Sequence, residues 1–351
     1  MDQANPEISV HLQTIRGLLA PTGLFLASAH DVSTGYNKAW LRDNFYTSLA
    51  LEAAGDTETL LKVWRSILEI FRTHEAKINW AIQNKPHASW QYIHARYNPE
   101  TFEEFWDEWG NKQNDAIGAI LWKLGDLHMK NISVIQNDED RGIVQRLVDY
   151  LASIEYWHDP DNGMWEEWEE VHASSVGACV AGLKAVRNAE LAAVPDGLIE
   201  HGEESLRGLL PRESSQKFCD LALLSLIYPY KVTERGMEDE ILKNLEYHLE
   251  KEMGIIRYKN DRYYNKNKDG WSEEAEWTFG FPWLSIIYTE REEKEKAKEY
   301  LNKARKTVLS DGRIPELFYS NTSTPNENVP LGWSESLYVV AVAEYAKKFG
   351  F

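Results

Sequence analysis

Cysteine is nearly missing from this sequence, which carries two, Cys179 and Cys219, in 351 residues. Neither forms a CxxC pair, and both sit in apolar helical segments. They read as small buried thiols in a reducing compartment, which argues against a disulfide framework. No uninterrupted apolar run reaches the roughly 20 residues that span a bilayer. The start, Met1-Asp2-Gln3-Ala4-Asn5-Pro6, lacks the basic and apolar regions of a secretory leader. Lys/Arg-rich stretches are missing too: 38 basic against 56 acidic side chains leave a net charge of -18, a field that disfavours nucleic acid and anionic membranes. There is no P-loop, GxGxxG, GxSxG or HExxH signature, and the ten histidines show no compact metal-ligand spacing. In Asp159-Pro160-Asp161-Asn162-Gly163 the glycine comes one position early for a calcium loop, so the run reads as a tight turn. These absences predict a cytoplasmic protein without cofactor or metal, and with neither nucleic acid nor membrane as partner. They leave its oligomeric state open.

What is present is helix. At 43% hydrophobic residues the chain has ample material for a core. The 3.6-residue period dominates, with candidates near 7–20, 38–54, 57–74, 113–130, 139–157, 172–188, 200–210, 215–228, 237–250, 276–290, 292–308 and 334–348. Odd members of this series carry one apolar stripe, as in Ile143, Leu147, Leu151 and Ile154. Even members, such as Val176–Val186 and Leu337–Tyr345, are apolar on most sides and therefore belong inside. The alternation predicts an all-α fold of two concentric helical layers, a double-layered toroid. No fixed repeat supports a solenoid, and no Gly/Ser- or Pro-rich linker divides residues 1–351, which predicts one domain.

The 14 tryptophans are the compositional excess. Several stand beside charged residues just before an even-numbered helix. Trp40-Leu41-Arg42-Asp43, Trp109-Gly110-Asn111-Lys112-Gln113, Trp165-Glu166-Glu167, Arg257-Tyr258 and Glu316 all occupy outer-to-inner connections. In a toroid those connections share one rim, so the motifs should meet at one mouth. An indole such as Trp165 stacks on a sugar ring, and a carboxyl held against it loses solvation and keeps its proton. Glycoside hydrolysis needs an acid for the leaving oxygen and a carboxylate on the other side of the anomeric carbon. Glu166 is the acid candidate and Glu316 the base candidate. Arg42 and Asp43 offer groups for sugar hydroxyls. Glu167 places a neighbouring sugar, raises the Glu166 pKa by like charge, or is a solvated surface residue. Trp333 is either pocket wall or core.

Five ordered motifs resemble the catalytic domain of glycoside hydrolase family 15, the glucoamylase family, and the glucoamylase-like domains of phosphorylase kinase α and β subunits. They are Tyr36-x3-Trp40-x-Arg42-Asp43, Trp109-Gly110-x2-Gln113-x-Asp115, Trp165-Glu166-Glu167, Arg257-Tyr258-x2-Asp261-x-Tyr263-Tyr264, and Glu316 followed by Gly332-Trp333-Ser334. The resemblance implies an (α/α)6 barrel and exo-acting, inverting release of β-glucose from the nonreducing end of α-glucosides. It further implies Glu166 as general acid and Glu316 as general base. By the same token Arg42, Asp43 and Arg257 hold the terminal glucose, while Tyr36, Trp40, Trp109, Glu167 and Trp333 form the pocket wall. Neither an N-terminal β-sandwich nor a starch-binding module is evident. The expected partner is therefore a short α-glucoside, and the aromatic segment 75–112 is expected to form a lid or rim that sets substrate length. A trehalase is a variant of this reading. Leu210-Pro211-Arg212-Glu213-Ser214 and Ser272-Glu273-Glu274-Ala275-Glu276-Trp277 have the flavour of the kinase subunits, which keeps a noncatalytic sugar sensor as the alternative.

Overall fold

The computed structural model describes residues 5–107, 109–265 and 273–350; Ser272 of the second kinase-like run lies outside them. The first seven helices are α1 (Pro6–Arg16), α2 (Leu41–Ala53), α3 (Thr57–Thr73), α4 (Glu75–Asn84), α5 (Asn114–Met129), α6 (Asp138–Ile154) and α7 (Ala173–Asn188). Then follow α8 (Leu198–Leu209), α9 (Leu224–Ile227), α10 (Arg235–His248), α11 (Gly280–Glu290), α12 (Lys294–Lys306) and α13 (Gly332–Phe349). Helices α2, α5, α7, α9, α11 and α13 each pack on the next, and α13 returns to α2 to close the ring. Outside it, α1 lies on α13, α3 on α2, α6 on α5 and α7, α8 on α7, α10 on α9, and α12 on α11. This is the (α/α)6 barrel.

The two layers follow from the sequence. Outer α3 buries the stripe Leu60, Val63, Trp64, Ile67, Leu68, Ile70 and Phe71 and turns Glu58, Lys62, Arg65 and Glu69 outward, with Asp56 capping its start through Thr59 N at 3.2 Å. Outer α12 buries only Ala297, Tyr300, Leu301 and Ala304. Inner α7 buries every residue from Ala173 to Leu183. It approaches α5 closely because glycines face each other there. A Cβ on Gly118 would sit 2.4 Å from the Ala178 carbonyl carbon, and one on Gly182 would sit 2.5 Å from the Gly118 oxygen.

Three expected helices begin late or shrink, for local reasons. Ala39–Trp40 (β1) pairs antiparallel with Arg96–Tyr97 (β2), so α2 starts only at Leu41. Glu276–Trp277 (β3) pairs with Leu317–Phe318 (β4), which delays α11 to Gly280. In 215–228, Ser214 Oγ accepts from the backbone of Gln216 and Lys217, a local bond that competes with helix. Asp220 then caps a single 3-10 turn, Leu221–Leu223, before the short α9. Within 75–112 the structure adds α4, which packs on α6.

Overpacking at a buried close approach costs about 1–3 kcal/mol. Gly118→Ala should lower stability in urea denaturation by that amount. Gly208→Ala on outer α8, where a Cβ meets nothing, should instead be neutral or stabilising by up to about 1 kcal/mol.

Candidate active site

Five of the six connections into the inner ring deliver their motif to one cavity of about 210 Å³. Its wall includes all eleven residues singled out from the sequence: Tyr36, Trp40, Arg42, Asp43, Trp109, Trp165, Glu166, Glu167, Arg257, Glu316 and Trp333. Ala27, Met164, Tyr263, Trp277 and Leu331 complete it. Arg42 and Asp43 stand in the first turn of α2 and Trp333 in the first turn of α13, so inner-helix N-termini face the mouth. Trp333 is wall and core at once, stacking on Phe279 at 4.6 Å and on Tyr46 at 4.4 Å.

Glu166 is held in a left-handed backbone conformation, φ 63°, which costs a non-glycine residue about 1–3 kcal/mol. Gly110 makes room for this turn: a Cβ there would lie 2.6 Å from the Glu166 carbonyl oxygen. Arg42 Nη2 donates to Glu166 Oε1 at 3.0 Å, while Arg42 Nη1 is fixed by Gln113 Oε1 at 2.8 Å and Asp115 Oδ2 at 3.0 Å. The Glu166 side chain is 22% exposed. Loss of solvation pushes its carboxyl up to about 7, against the pull of Arg42 and with help from the nearby Asp43 charge. Asp43 is itself raised by burial to about 6.

Glu316 has different surroundings. It is 1% exposed, and its Oε2 accepts from Asn326 Nδ2 at 2.6 Å and Asn328 Nδ2 at 2.7 Å. Its Oε1 accepts from Tyr36 OH at 2.9 Å. Burial still holds its pKa above the ordinary value, against those three donors. Glu167 is no solvated surface residue. Its Oε1 accepts from Arg257 Nη2 at 2.9 Å, and its Oε2 accepts from Tyr258 OH at 2.6 Å and Lys217 Nζ at 3.0 Å. Arg257 is aligned in turn by a two-pronged bond to Asp261, both distances 2.7 Å.

Sequence reasoning missed the sixth connection. It brings Lys217 to Glu167, and Asp220 Oδ1 to the Trp165 indole N–H at 2.8 Å. Asn326 and Asn328 were missed as well. Their i, i+2 spacing is the one available signal, since alternate residues of an extended segment point the same way. Among the described residues, the indole N–H groups of Trp40, Trp277 and Trp333 have no hydrogen-bond acceptor. No group of metal-binding side chains occurs among those residues, and none of their helices is long and apolar enough to cross a membrane.

Comparison with known proteins gives one family. The model described as Glycosyl hydrolases family 15 matches residues 12–340. The chain is 25% identical over 402 residues to the phosphorylase b kinase regulatory subunit alpha, liver isoform, of Mus musculus, covering 94% of this chain and 32% of that protein. It is 25% identical over 374 residues to the skeletal muscle isoform of Oryctolagus cuniculus, covering 86% and 30%. The chain thus spans about a third of the length of these curated relatives. Among solved structures, a glycosidase in complex with glucose superposes with a TM-score of 0.82 at 18% identity, covering 97% of this chain and 96% of that one. A bacterial glucoamylase complexed with acarbose gives a TM-score of 0.69 at 16% identity, covering 98% and 56%. The glucoamylase of Saccharomycopsis fibuligera gives 0.72 at 14%, covering 97% and 93%. At these identities the solved structures speak for the fold.

The raised Glu166 pKa has a consequence for stability. Between its ordinary value of 4.5 and about 7, the folded chain holds a proton that the unfolded chain has released. That contribution is complete below the lower value and is lost as pH rises through the upper one. Glu166→Gln removes it. Its melting temperature relative to the parent should therefore rise from pH 5 to pH 8, read by differential scanning calorimetry. A difference independent of pH would contradict the assignment.

Proposed function

The chain belongs to glycosyl hydrolases family 15, and we propose that its cavity hydrolyses short α-glucosides from the nonreducing end with inversion, releasing β-glucose. The observation that carries this reading is the pair of carboxylates on one small cavity wall, Glu166 and Glu316, in unlike surroundings. With a pKa of about 7, Glu166 keeps a proton to give to the glycosidic oxygen at neutral pH. Glu316 takes a proton from a water that attacks the anomeric carbon from the opposite face. Asn326 and Asn328 steady its Oε2, and Tyr36 its Oε1. One attack from the far face inverts the centre.

The remaining wall suits a terminal glucose. Drug-sized sites run to about 300–1,000 Å³. A cavity of about 210 Å³ is matched to something smaller, such as one sugar ring. In this reading Arg42, Asp43 and Arg257 meet its hydroxyls, and the rings of Trp40, Trp109, Trp165 and Trp333 enclose its faces. The free indole N–H group of Trp333 supports it, because a buried donor without an acceptor costs about 1–3 kcal/mol and a hydroxyl would satisfy it. Sequence and composition support a cytoplasmic setting.

A second reading has its own support: the curated relatives at 25% identity are regulatory subunits. In it the chain senses a glucoside without turning it over. The two readings separate by kinetics. For the enzyme, kcat/KM should fall as pH rises above about 7, where Glu166 loses its proton, and fall on the acid side as Glu316 gains one. Glu166→Gln and Glu316→Gln should each lower kcat by about 100-fold or more. A glucoside that raises the melting temperature of the parent protein without any glucose being formed would favour the sensor.

A further inference from the structure

Two runs that stand out in the sequence take no part in the cavity wall: the turn Asp159-Pro160-Asp161-Asn162-Gly163, and Leu210-Pro211-Arg212-Glu213-Ser214. They meet behind it on His172, which is 3% exposed and stands just before α7. Residues 161–170 form a loop closed at its base, Asp161 N donating to Glu170 O at 2.8 Å and Glu170 N to Asp161 O at 2.9 Å. Inside the loop the Glu166 N–H donates to Gly163 O at 3.3 Å. Gly163 therefore opens the turn that holds Glu166 in its left-handed conformation, and is left-handed itself, φ 62°. The His172 ring lies against this glycine. A Cβ on Gly163 would come within 2.7 Å of the ring's Cδ2 and 2.8 Å of its Nε2. The turn that carries the proton donor rests on an imidazole.

Acids hold that ring in place. Its Nδ1 lies 3.4 Å from Glu213 Oε1, and Glu213 is fixed in turn by Ser174 Oγ at 2.5 Å and Ser174 N at 3.1 Å. Asp161 Oδ2 accepts from Asn114 N at 2.8 Å and Ser175 Oγ at 2.9 Å. The charged groups acting on His172 are Glu213, Asp161 and Lys217. Burial opposes its charge, but the two acids outweigh burial and Lys217 and hold its pKa up at about 9. Among the described residues His172 Nε2 has no hydrogen-bond acceptor. The edge of the ring that faces Gly163 thus meets the turn by packing, and the contact is one of shape.

We propose that His172 is a positioning residue for the proton donor: its ring, oriented by Glu213, fixes the Gly163–Glu166 turn and with it the place of the Glu166 carboxyl. The inference rests on the hydrolase reading for the role of Glu166. His172 is not part of the cavity wall, so its effect passes through the backbone of the turn.

The test uses two substrates that differ in their need for an acid. A sugar leaving group must be protonated as its bond breaks, whereas fluoride departs as the anion. In α-glucosyl fluoride the C1–F bond breaks while water adds to C1 and passes its proton to Glu316. The disaccharide that the parent cleaves fastest is compared with this fluoride in the parent, Glu166→Gln and His172→Asn. His172→Asn keeps a donor for Glu213 and removes the ring. Its kcat on the disaccharide should fall about 10- to 100-fold with KM changed less than about twofold, while kcat on the fluoride changes less than about threefold. Glu166→Gln should show the same asymmetry and sets its scale. An equal loss on both substrates, or an unchanged disaccharide rate, overturns the proposal. Gly163→Ala, which sets a methyl group against the same ring, should repeat the asymmetry and decides the matter if His172→Asn does not fold. Should the parent cleave neither substrate, the hydrolase reading fails separately, and melting temperatures decide the placement. The gain of Glu166→Gln over the parent between pH 5 and pH 8 should then shrink by about half or more when both chains carry His172→Asn, because a released Glu166 regains solvent. A gain of unchanged size overturns it.

Discussion

The contact on which the mouth of this barrel depends is the three-donor clasp around Glu167. Arg257 arrives from the connection before α11, Lys217 from the one before α9, and Glu167 itself from the one before α7. A carboxylate with charged partners on both oxygens is a strong tie, and breaking one side leaves the others uncompensated. Next to it in sequence, Glu166 is bound to Arg42 at the start of α2. Two adjacent acids thereby link four of the six connections into the inner ring. The strained φ of Glu166 is tolerable because its neighbours on both sides, Trp165 through Asp220 and Glu167 through the clasp, are anchored. The toroid brings the loops together, and these bonds fix their positions.

The same arrangement divides labour between like groups. Glu166 and Glu316 are both glutamates on one wall, yet one faces an arginine and partial solvent while the other is enclosed by two asparagines and a tyrosine. Burial raises both. Hydrogen bonds to Glu316 oppose the rise, and Glu166 reaches about 7. In the hydrolase reading the unlike partners, an arginine and solvent against two asparagines and a tyrosine, separate the proton donor from the acceptor of a water's proton. The fold is that of solved glycosidases while the curated sequence relatives are regulatory subunits, so the question of function comes down to whether this difference is used.

Much of this was legible in the sequence because helical layers leave a signature that does not need tertiary contacts. A helix apolar on all sides, such as α7, has nowhere to go but inward, and α12 with its four buried residues has nowhere to go but outward. From that alternation came the shared rim, and from the rim the expectation that Trp40, Trp165 and Glu316 meet; all three line the one cavity. What escaped was whatever depends on single long-range bonds. The two-residue strands at Trp40 and Trp277 are too short to show a period. Lys217, 50 positions from Glu167, sits in a stretch whose apolar residues suggested helix, whereas serine bonds to the backbone had unwound it. Asn326 and Asn328 follow a proline and resemble any surface loop until Glu316 is placed between them and Tyr36.

Whether this cavity cleaves an α-glucosidic bond with inversion is read from the first minutes of reaction by proton NMR. The purified chain would be given maltose, isomaltose, kojibiose, nigerose and trehalose in turn. At least one of them should release its nonreducing glucose as the β anomer, so that β-glucose starts above the α/β mixture brought by the reducing half, or equal to α-glucose in the case of trehalose, before mutarotation sets in. A starting excess of α-glucose over that mixture, or only α-glucose from trehalose, would contradict inversion, and an absence of glucose from all five would contradict hydrolysis itself.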